Sequence, residues 1–338
     1  MTGEPGSPRM PAEWEPHALT LVAWPQREAA WRGVGIEQAR DCHAEVVDAI
    51  AAFESVLLVA DPSQADDARA RVTARNVEVV PIPIDDSWLR DSGPIFVSGE
   101  GGSLAGIDFG FNAWGEAFTP YDDDAAVAAR ILSHLGVERI GSEMILEGGS
   151  IAVDGAGELV TTEQCLLART RNPNMDRGGI EAELRDRLGV QRVTWLGGGL
   201  VEDADTDGHV DNIAAFSAPG KVMLQMAPAG DPNLDICLDN LERLEAAGFE
   251  VEELDLLPKV TREDGTVVAV SYMNFYVANG VVVVPIGGMD GDMDEEALGR
   301  ISRQFPNREV VGIDGRVLAL GGGGIHCITQ QVPATGSV

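Results

Sequence analysis

Five times along the chain, a stretch with apolar residues at helical spacing gives way to Gly or Asn and then to a run rich in β-branched residues. Val127, Ile131, Leu132 and Leu135 keep 3–4 spacing, as do Ile180, Leu184 and Leu188. Asp231-Pro232 reads as a helix cap with proline in the first turn, ahead of Leu234, Leu238, Leu241 and Leu244. The exits begin at Asn76, Gly136, Gly189, Gly248 and Asn307, so they recur at intervals of 60, 53, 59 and 59 residues. Gly and Asn suit such exits because the residue after a helix often takes a left-handed conformation. Each unit of about 60 residues reads as a helix with short strands, and its apolar face must be covered by neighbouring units. The pattern therefore predicts an α/β fold of five modules arranged radially, a five-bladed propeller that makes one domain of residues 1–338. An open doubly wound sheet is the alternative, but no strand here runs into a G-x-G-x-x-G that opens a helix. Roughly residues 1–10 are expected to lie outside the ordered fold.

After each exit and its strand comes a short segment rich in Gly, aromatic and ionisable residues. These are Trp88-Leu89-Arg90-Asp91-Ser92-Gly93-Pro94, Leu146-Glu147-Gly148-Gly149-Ser150, Asp205-Thr206-Asp207-Gly208-His209-Val210-Asp211-Asn212, Ser271-Tyr272-Met273-Asn274 and Gly321 to Cys327. In a radial fold equivalent loops meet at one end of the axis, so Asp91, Glu147, His209, Asp211 and Cys327 are expected to converge. A cysteine becomes a good nucleophile where its surroundings favour the thiolate, and His209 could carry protons between reactants. Two aspartates beside a thiol would raise its pKa, which makes sense only if the substrate is itself a cation. A guanidinium is planar, always charged and offers N–H donors in pairs, so Asp91 and Asp211 could each grip it and hold its central carbon for Cys327. Cys42, Cys165 and Cys237 sit among apolar neighbours and read as core residues. His326 reads as structural, because consecutive residues of a strand face opposite ways and Cys327 takes the inward place.

Charge narrows the partners. With 55 acidic and 24 basic residues the formal net charge is -31, which disfavours nucleic acid and attracts cations. No apolar run reaches the length of a membrane span, and the opening residues lack a signal peptide's basic and apolar regions, so a cytoplasmic protein is expected. The four cysteines are far apart and are expected as thiols. Asp203 to Gly208 matches the first half of an EF-hand loop, but Ala214 stands where the bidentate Glu belongs, and no His pair has zinc spacing. No metal and no cofactor are expected. The sequence leaves a homo-oligomer open.

Taken together, these signatures resemble one family, the agmatine deiminases of the guanidine-modifying superfamily, which also holds the bacterial peptidylarginine deiminases. The resemblance extends to Met10-Pro11-Ala12-Glu13-Trp14, Ala23-Trp24-Pro25, Phe111-Asn112-Ala113-Trp114-Gly115, Ser271 to Tyr276 and Ile325 to Gln331. It implies the five-bladed pentein fold and a metal-free hydrolysis of a small cationic guanidine, agmatine, to a ureido product and ammonia in polyamine (putrescine) biosynthesis. By the same resemblance Cys327 is the nucleophile that carries an amidino-thioether, His209 the proton carrier, Glu147 its orienter, and Asp91 and Asp211 the guanidinium ligands. Asp205 is implied as the ligand of the distal ammonium and Trp88 as the wall of the alkyl channel. The chain departs from the family at Gly324, where Asn is usual, and at Ala215, where a larger residue is common. Other expectations are a deiminase of another guanidine such as peptidyl arginine, an amidinotransferase, or a non-catalytic five-bladed binding protein.

Overall fold

Each of the five exits leads into a strand: Val77–Pro81, Glu138–Ile145, Arg192–Leu196, Glu250–Leu254 and Glu309–Asp314. In the computed structural model, which describes residues 8–31, 33–99 and 102–334, each of these strands is the outer, parallel member of its own mixed sheet. Four sheets share one plan, an antiparallel pair whose second strand is joined in parallel by the third after a helical crossover. Their antiparallel pairs are Ile95–Ser98 with Leu104–Gly110, Ile151–Val153 with Glu158–Thr162, Ala214–Ala218 with Lys221–Gln225, and Tyr276–Val277 with Val281–Ile286. The fifth sheet joins the chain's two ends: Thr329–Pro333 pairs antiparallel with His17–Ala23, which pairs parallel with Val56–Ala60, and that strand with Val77–Pro81. Sequence period and structure thus agree on five α/β modules. These five sheets are mixed, a small sixth pairs Lys259–Thr261 with Val267–Ala269 antiparallel, and none closes into a barrel among the described residues.

The crossover helices are Asp124–Leu135, Arg177–Leu188, Leu234–Ala246 and Gly291–Gln304, with Ile36–Ala51 and Ala65–Arg71 in the fifth module. Their apolar stripes are what hold them to the sheets. Val127, Ile131 and Leu132 are fully buried, each stabilising by about 1.5–3 kcal/mol relative to exposure. Leu132 lies so close to the bare Gly106 of the strand beneath that a Cβ there would collide with it.

Three local expectations need correction. Gly136, Gly189 and Gly248 take the left-handed conformation, with φ of 65°, 69° and 89°, but Asn76 and Asn307 do not, because their helices stop earlier, at Arg71 and Gln304. Asp231-Pro232 precedes the helix it was expected to cap: Asn233 is the N-cap, and its amide donates to Asp231 Oδ1 at 2.9 Å, while Leu238 faces solvent. Finally, the disorder expected over roughly 1–10 does not extend to its last residues. Arg9 exchanges backbone hydrogen bonds with Ser98, at 2.9 and 2.8 Å, and Met10 is buried; residues 1–7 lie outside the described residues.

The polar segments occupy one topological place, between the outer strand of one sheet and the first strand of the next. Most contain a short helical turn: Leu89–Ser92, Gly148–Ser150, Val210–Asn212 and His326–Ile328. Ser271 to Asn274 forms a turn closed by Asn274 N–H donating to Ser271 O at 3.1 Å.

Candidate active site

Gly149 sits where three of these segments meet. A Cβ at this position would lie 2.7 Å from His209 Nδ1, 2.8 Å from Asp211 Oδ2 and 2.8 Å from Asp91 Oδ1. Only glycine lets these three groups approach so closely, and its own N–H donates to Asp91 Oδ1 at 2.9 Å. Asp91, Glu147, His209, Asp211 and Cys327, expected to converge from distant parts of the chain, are all buried around this point.

Asp91 is fixed on its other oxygen by Trp114 Nε1, which donates to Oδ2 at 3.0 Å. Trp114 reaches it from a run of four residues, Ala113 to Glu116, all with φ between 50° and 85°. Left-handed backbone costs about 1–2 kcal/mol per non-glycine residue. The run is stapled by Gly115 N–H donating to Asn112 Oδ1 at 2.9 Å and by Asn112 Nδ2 donating to Thr170 O at 2.9 Å. Strain here is tied to holding one indole N–H on one carboxylate. Burial first, then the neighbouring Asp211 and Glu147, push the Asp91 carboxyl up to about 6, against the pull of His209 at 3.8 Å.

Asp211 is built the other way. Its Oδ2 accepts from His326 Nδ1 at 2.9 Å, and His326 Nε2 meets Glu13 Oε2 at 2.8 Å. Burial raises the Asp211 carboxyl, but His326, His209 and Arg90 outweigh it and hold it below the usual range. Glu13, likewise raised by burial and lowered by His326 and Arg90, falls to about 2. Burial and Arg90 disfavour the His326 imidazolium, yet Glu13 and Asp211 overcome them and raise its pKa. The premise for reading His326 as structural, that strand neighbours face opposite ways, does not hold, because His326–Ile328 is a 3₁₀ turn and not a strand. Consecutive side chains there are about a third of a turn apart, so His326 and Cys327 both reach Asp211 Oδ2, at 2.9 and 3.6 Å.

His209 is fully buried, and neither ring nitrogen has a hydrogen-bond partner among the described residues. Burial opposes its charge, but Asp91, Cys165 and Glu147 raise its pKa well above 6.5. Glu147 lies 3.9 Å from His209 Nε2 and accepts from Arg171 Nε at 2.7 Å, and these cations hold it low against burial. Arg171 was invisible in the sequence, where it stands in an ordinary Arg-Asn-Pro loop. Cys165, read as core, is indeed buried, but its Sγ lies 3.9 Å from Glu147. With His209 it forms a group whose ligand atoms lie within 4.8 Å of one another, which no spacing along the chain announced. Arg171 already supplies a cation to that carboxylate. The Asp203 loop, half a calcium motif by sequence, is a cap: Asp203 accepts from Thr206 Oγ1 at 2.7 and 2.6 Å and from His209 N at 3.2 Å.

Cys327 Sγ faces Asp211 Oδ2 and Asn274 Nδ2, at 3.6 and 3.3 Å. Burial, then Asp211 and Asp91, push the thiol well above 9. A cavity opens over the sulfur, lined by Trp88, Asp91, Trp114, Phe118 and Asp205. Trp88 stacks on Trp31 at 5.4 Å, which gives the wall a rigid backing. Asp205, expected to stand free for a distal cation, is instead paired with Arg262 Nη2 at 3.2 Å. Ala215 lies outside this cavity, beside Glu13, Arg90 and His326 in a second one behind Asp211. Asp211 Oδ1, by contrast, is buried with no partner among the described residues. A buried carboxylate oxygen and a buried imidazole without partners mark a place built to receive donors and exchange protons.

Residues 9–333 match the model of the Porphyromonas-type peptidyl-arginine deiminase family. A curated agmatine deiminase of Pseudomonas aeruginosa is 41% identical, over 96% of this chain and 95% of its own. Among solved structures, an Enterococcus faecalis agmatine deiminase described as catalysing its reaction superposes with TM-score 0.92 at 34% identity, covering 99% of both chains. A Campylobacter jejuni agmatine deiminase with substrate bound gives 0.91 at 28%, again covering 99% of both. The chain is thus an enzyme of the Porphyromonas-type peptidyl-arginine deiminase family, among its agmatine deiminases, a hydrolase of carbon–nitrogen bonds in amidine or guanidine groups.

Proposed function

We propose that this enzyme hydrolyses agmatine to N-carbamoylputrescine and ammonia through a covalent amidino-cysteine intermediate, supplying putrescine synthesis in the cytoplasm. The observation that carries the reading is a buried thiol at a cavity wall, with the carboxylates of Asp91 and Asp211 both acting on it and one oxygen of Asp211 unpartnered among the described residues. That arrangement repels an anionic substrate and favours a flat cation.

Asp91 and the free Oδ1 of Asp211 grip the guanidinium nitrogens. The bound positive charge offsets the two carboxylates that hold the Cys327 thiol protonated, so its proton leaves to solvent and the thiolate attacks the central carbon. As a C–N bond breaks, the charged His209 gives its proton to the departing ammonia, and the amidino-thioether remains on Cys327. Neutral His209 then takes a proton from water, whose oxygen attacks the same carbon. The C–S bond breaks with its electron pair returning to sulfur, a proton leaves the new C=O, and the ureido product departs. Glu147, anchored by Arg171, orients His209, and Trp88 walls the alkyl chain. We further propose that the five modules surround one axis as a five-bladed propeller of the pentein type, forming a single domain.

A second reading is favoured by one observation, the Arg262 guanidinium paired with Asp205 of the cavity wall. It offers a partner for a carboxylate, as in arginine. A guanidine panel of agmatine, free arginine and arginine peptides, with mass identification of the ureido product, decides. Turnover of agmatine above the others is expected, and turnover of arginine or its peptides alone would overturn the first reading.

A further inference from the structure

We propose that Asn274 is a further catalytic residue, whose side-chain N–H bonds to the Cys327 sulfur and stabilises its negative charge when the thiolate forms. The inference rests on the reading of Cys327 as the nucleophile.

The orientation of this amide follows from its neighbours. Asp203, a carboxylate, accepts from Asn212 Nδ2 at 3.1 Å, which turns Asn212 Oδ1 toward Asn274. That oxygen accepts from Asn274 Nδ2 at 3.1 Å. From the other side, the backbone N–H of His326 donates to Asn274 Oδ1 at 3.0 Å. Both ends of the amide are therefore assigned by groups that cannot exchange roles. Its second N–H lies between Cys327 Sγ at 3.3 Å and the backbone carbonyl of Asp211 at 3.5 Å, with the sulfur the nearer. Asn274 is almost wholly buried, so water does not compete for that donor.

The charges around the sulfur make such a donor necessary. Asp211 and Asp91 oppose the thiolate directly. The cations nearby are engaged by carboxylates: His209 faces Asp91, His326 faces Asp211 and Arg90 faces Glu13, while Glu147 and Glu13 face the imidazoles. The donors to sulfur itself are neutral: Asn274 and the backbone amide of Gly324. Gly324 also explains itself here. A Cβ at this position would collide with Asn274 Oδ1, so the bare backbone at Gly324 is what lets the amide lie against the sulfur.

The test is the pH dependence of Cys327 alkylation by iodoacetamide, read by mass spectrometry of the Cys327 peptide, alongside kcat and KM for agmatine. In Asn274→Asp, which keeps the shape but replaces the N–H by an acceptor, alkylation at a fixed pH below the thiol's titration should slow at least about tenfold, since hydrogen bonds to charged groups are among the strong ones. kcat should fall with little change in KM. Gly324→Ala, which leaves Asn274 chemically intact but pushes it aside, should shift the profile the same way by a smaller factor. Thermal unfolding checks that each variant folds; if Asn274→Asp does not, Gly324→Ala carries the test. Alkylation profiles that coincide with the parent's would overturn the proposal. Cys327→Ala separates the two levels: if that variant keeps turnover, the nucleophile reading fails, whereas an inactive Cys327→Ala with unshifted Asn274 profiles sinks this inference alone.

Discussion

Asp91 and Asp211 both act on the Cys327 sulfur and are expected to do one job, yet they are built in opposite ways. Asp91 is held by neutral donors, the Trp114 indole and the Gly149 amide, and burial lifts it to about 6. Asp211 leans on a cation, His326, itself backed by Glu13, and stays ionised far below neutrality. The difference shows that burial alone does not set a carboxylate's charge. Burial raises both carboxyls; the His326 cation in hydrogen-bond contact overcomes it at Asp211, whereas His209 at 3.8 Å and two orienting N–H groups do not at Asp91. One side of the site is therefore a fixed anion and the other an anion that titrates.

The largest effect expected concerns the sulfur both sides serve. Cys327→Ala should lower kcat by about 10⁴-fold or more, while Cys42→Ala and Cys237→Ala keep near-parent turnover, as ammonia release would show. Retained activity in the first would break the comparison at its root. Next, Asp91→Asn and Asp211→Asn should each reduce kcat/KM for agmatine by about 10²–10³-fold, because an amide cannot accept a donor pair as a charged fork does. If only one of them matters, the two-sided grip is wrong.

Acid then distinguishes the sides. With Asp91 raised and Asp211 lowered, Asp91 is the first to protonate as pH falls. kcat/KM should drop about tenfold per pH unit below about 6. Asp91→Asn should lose that limb and sit low at all pH values; a limb that persists would assign it elsewhere. A smaller change is expected in Glu13→Gln. The folded Glu13 pKa lies below the usual 4.5, at about 2, so the carboxylate contributes stability above pH 4.5 that is lost as pH falls through about 2. That contribution is on the order of 3 kcal/mol. The Tm deficit of the variant should be full at pH 7 and shrink toward pH 2; a pH-independent deficit would mean lost packing only. The smallest effect is at the cavity wall. The Asp205–Arg262 pair is partly exposed and worth little by itself, so Arg262→Ala should lower KM for agmatine only a few-fold by freeing Asp205. An unchanged KM would remove Asp205 from substrate binding.

Much of this was legible along the chain, and the illegible parts share a cause. The module period could be read because helix spacing, the glycine after a helix and a β-branched strand are local features. The residues around Gly149 could be gathered because they recur at one place in each module. The orientation of His326 was misjudged because the expected strand is a 3₁₀ turn. Arg171, the Cys165 contact and the Arg262 partner of Asp205 were missed because each arises between segments whose order along the chain says nothing of their distance. Asn274 stood in a recognised motif, but its chemistry depends on Asn212, Asp203 and Gly324, which lie elsewhere.

By itself the sequence determined five α/β modules, an acidic surface, and which thiol and carboxylates belong together, since those follow from short-range conformational preference repeated at a fixed interval. Only the tertiary structure decided which of two like carboxylates is a permanent anion, which histidine backs it and which amide touches the sulfur. Charge in a buried site is set by neighbours a few ångströms away, and folding alone chooses those neighbours.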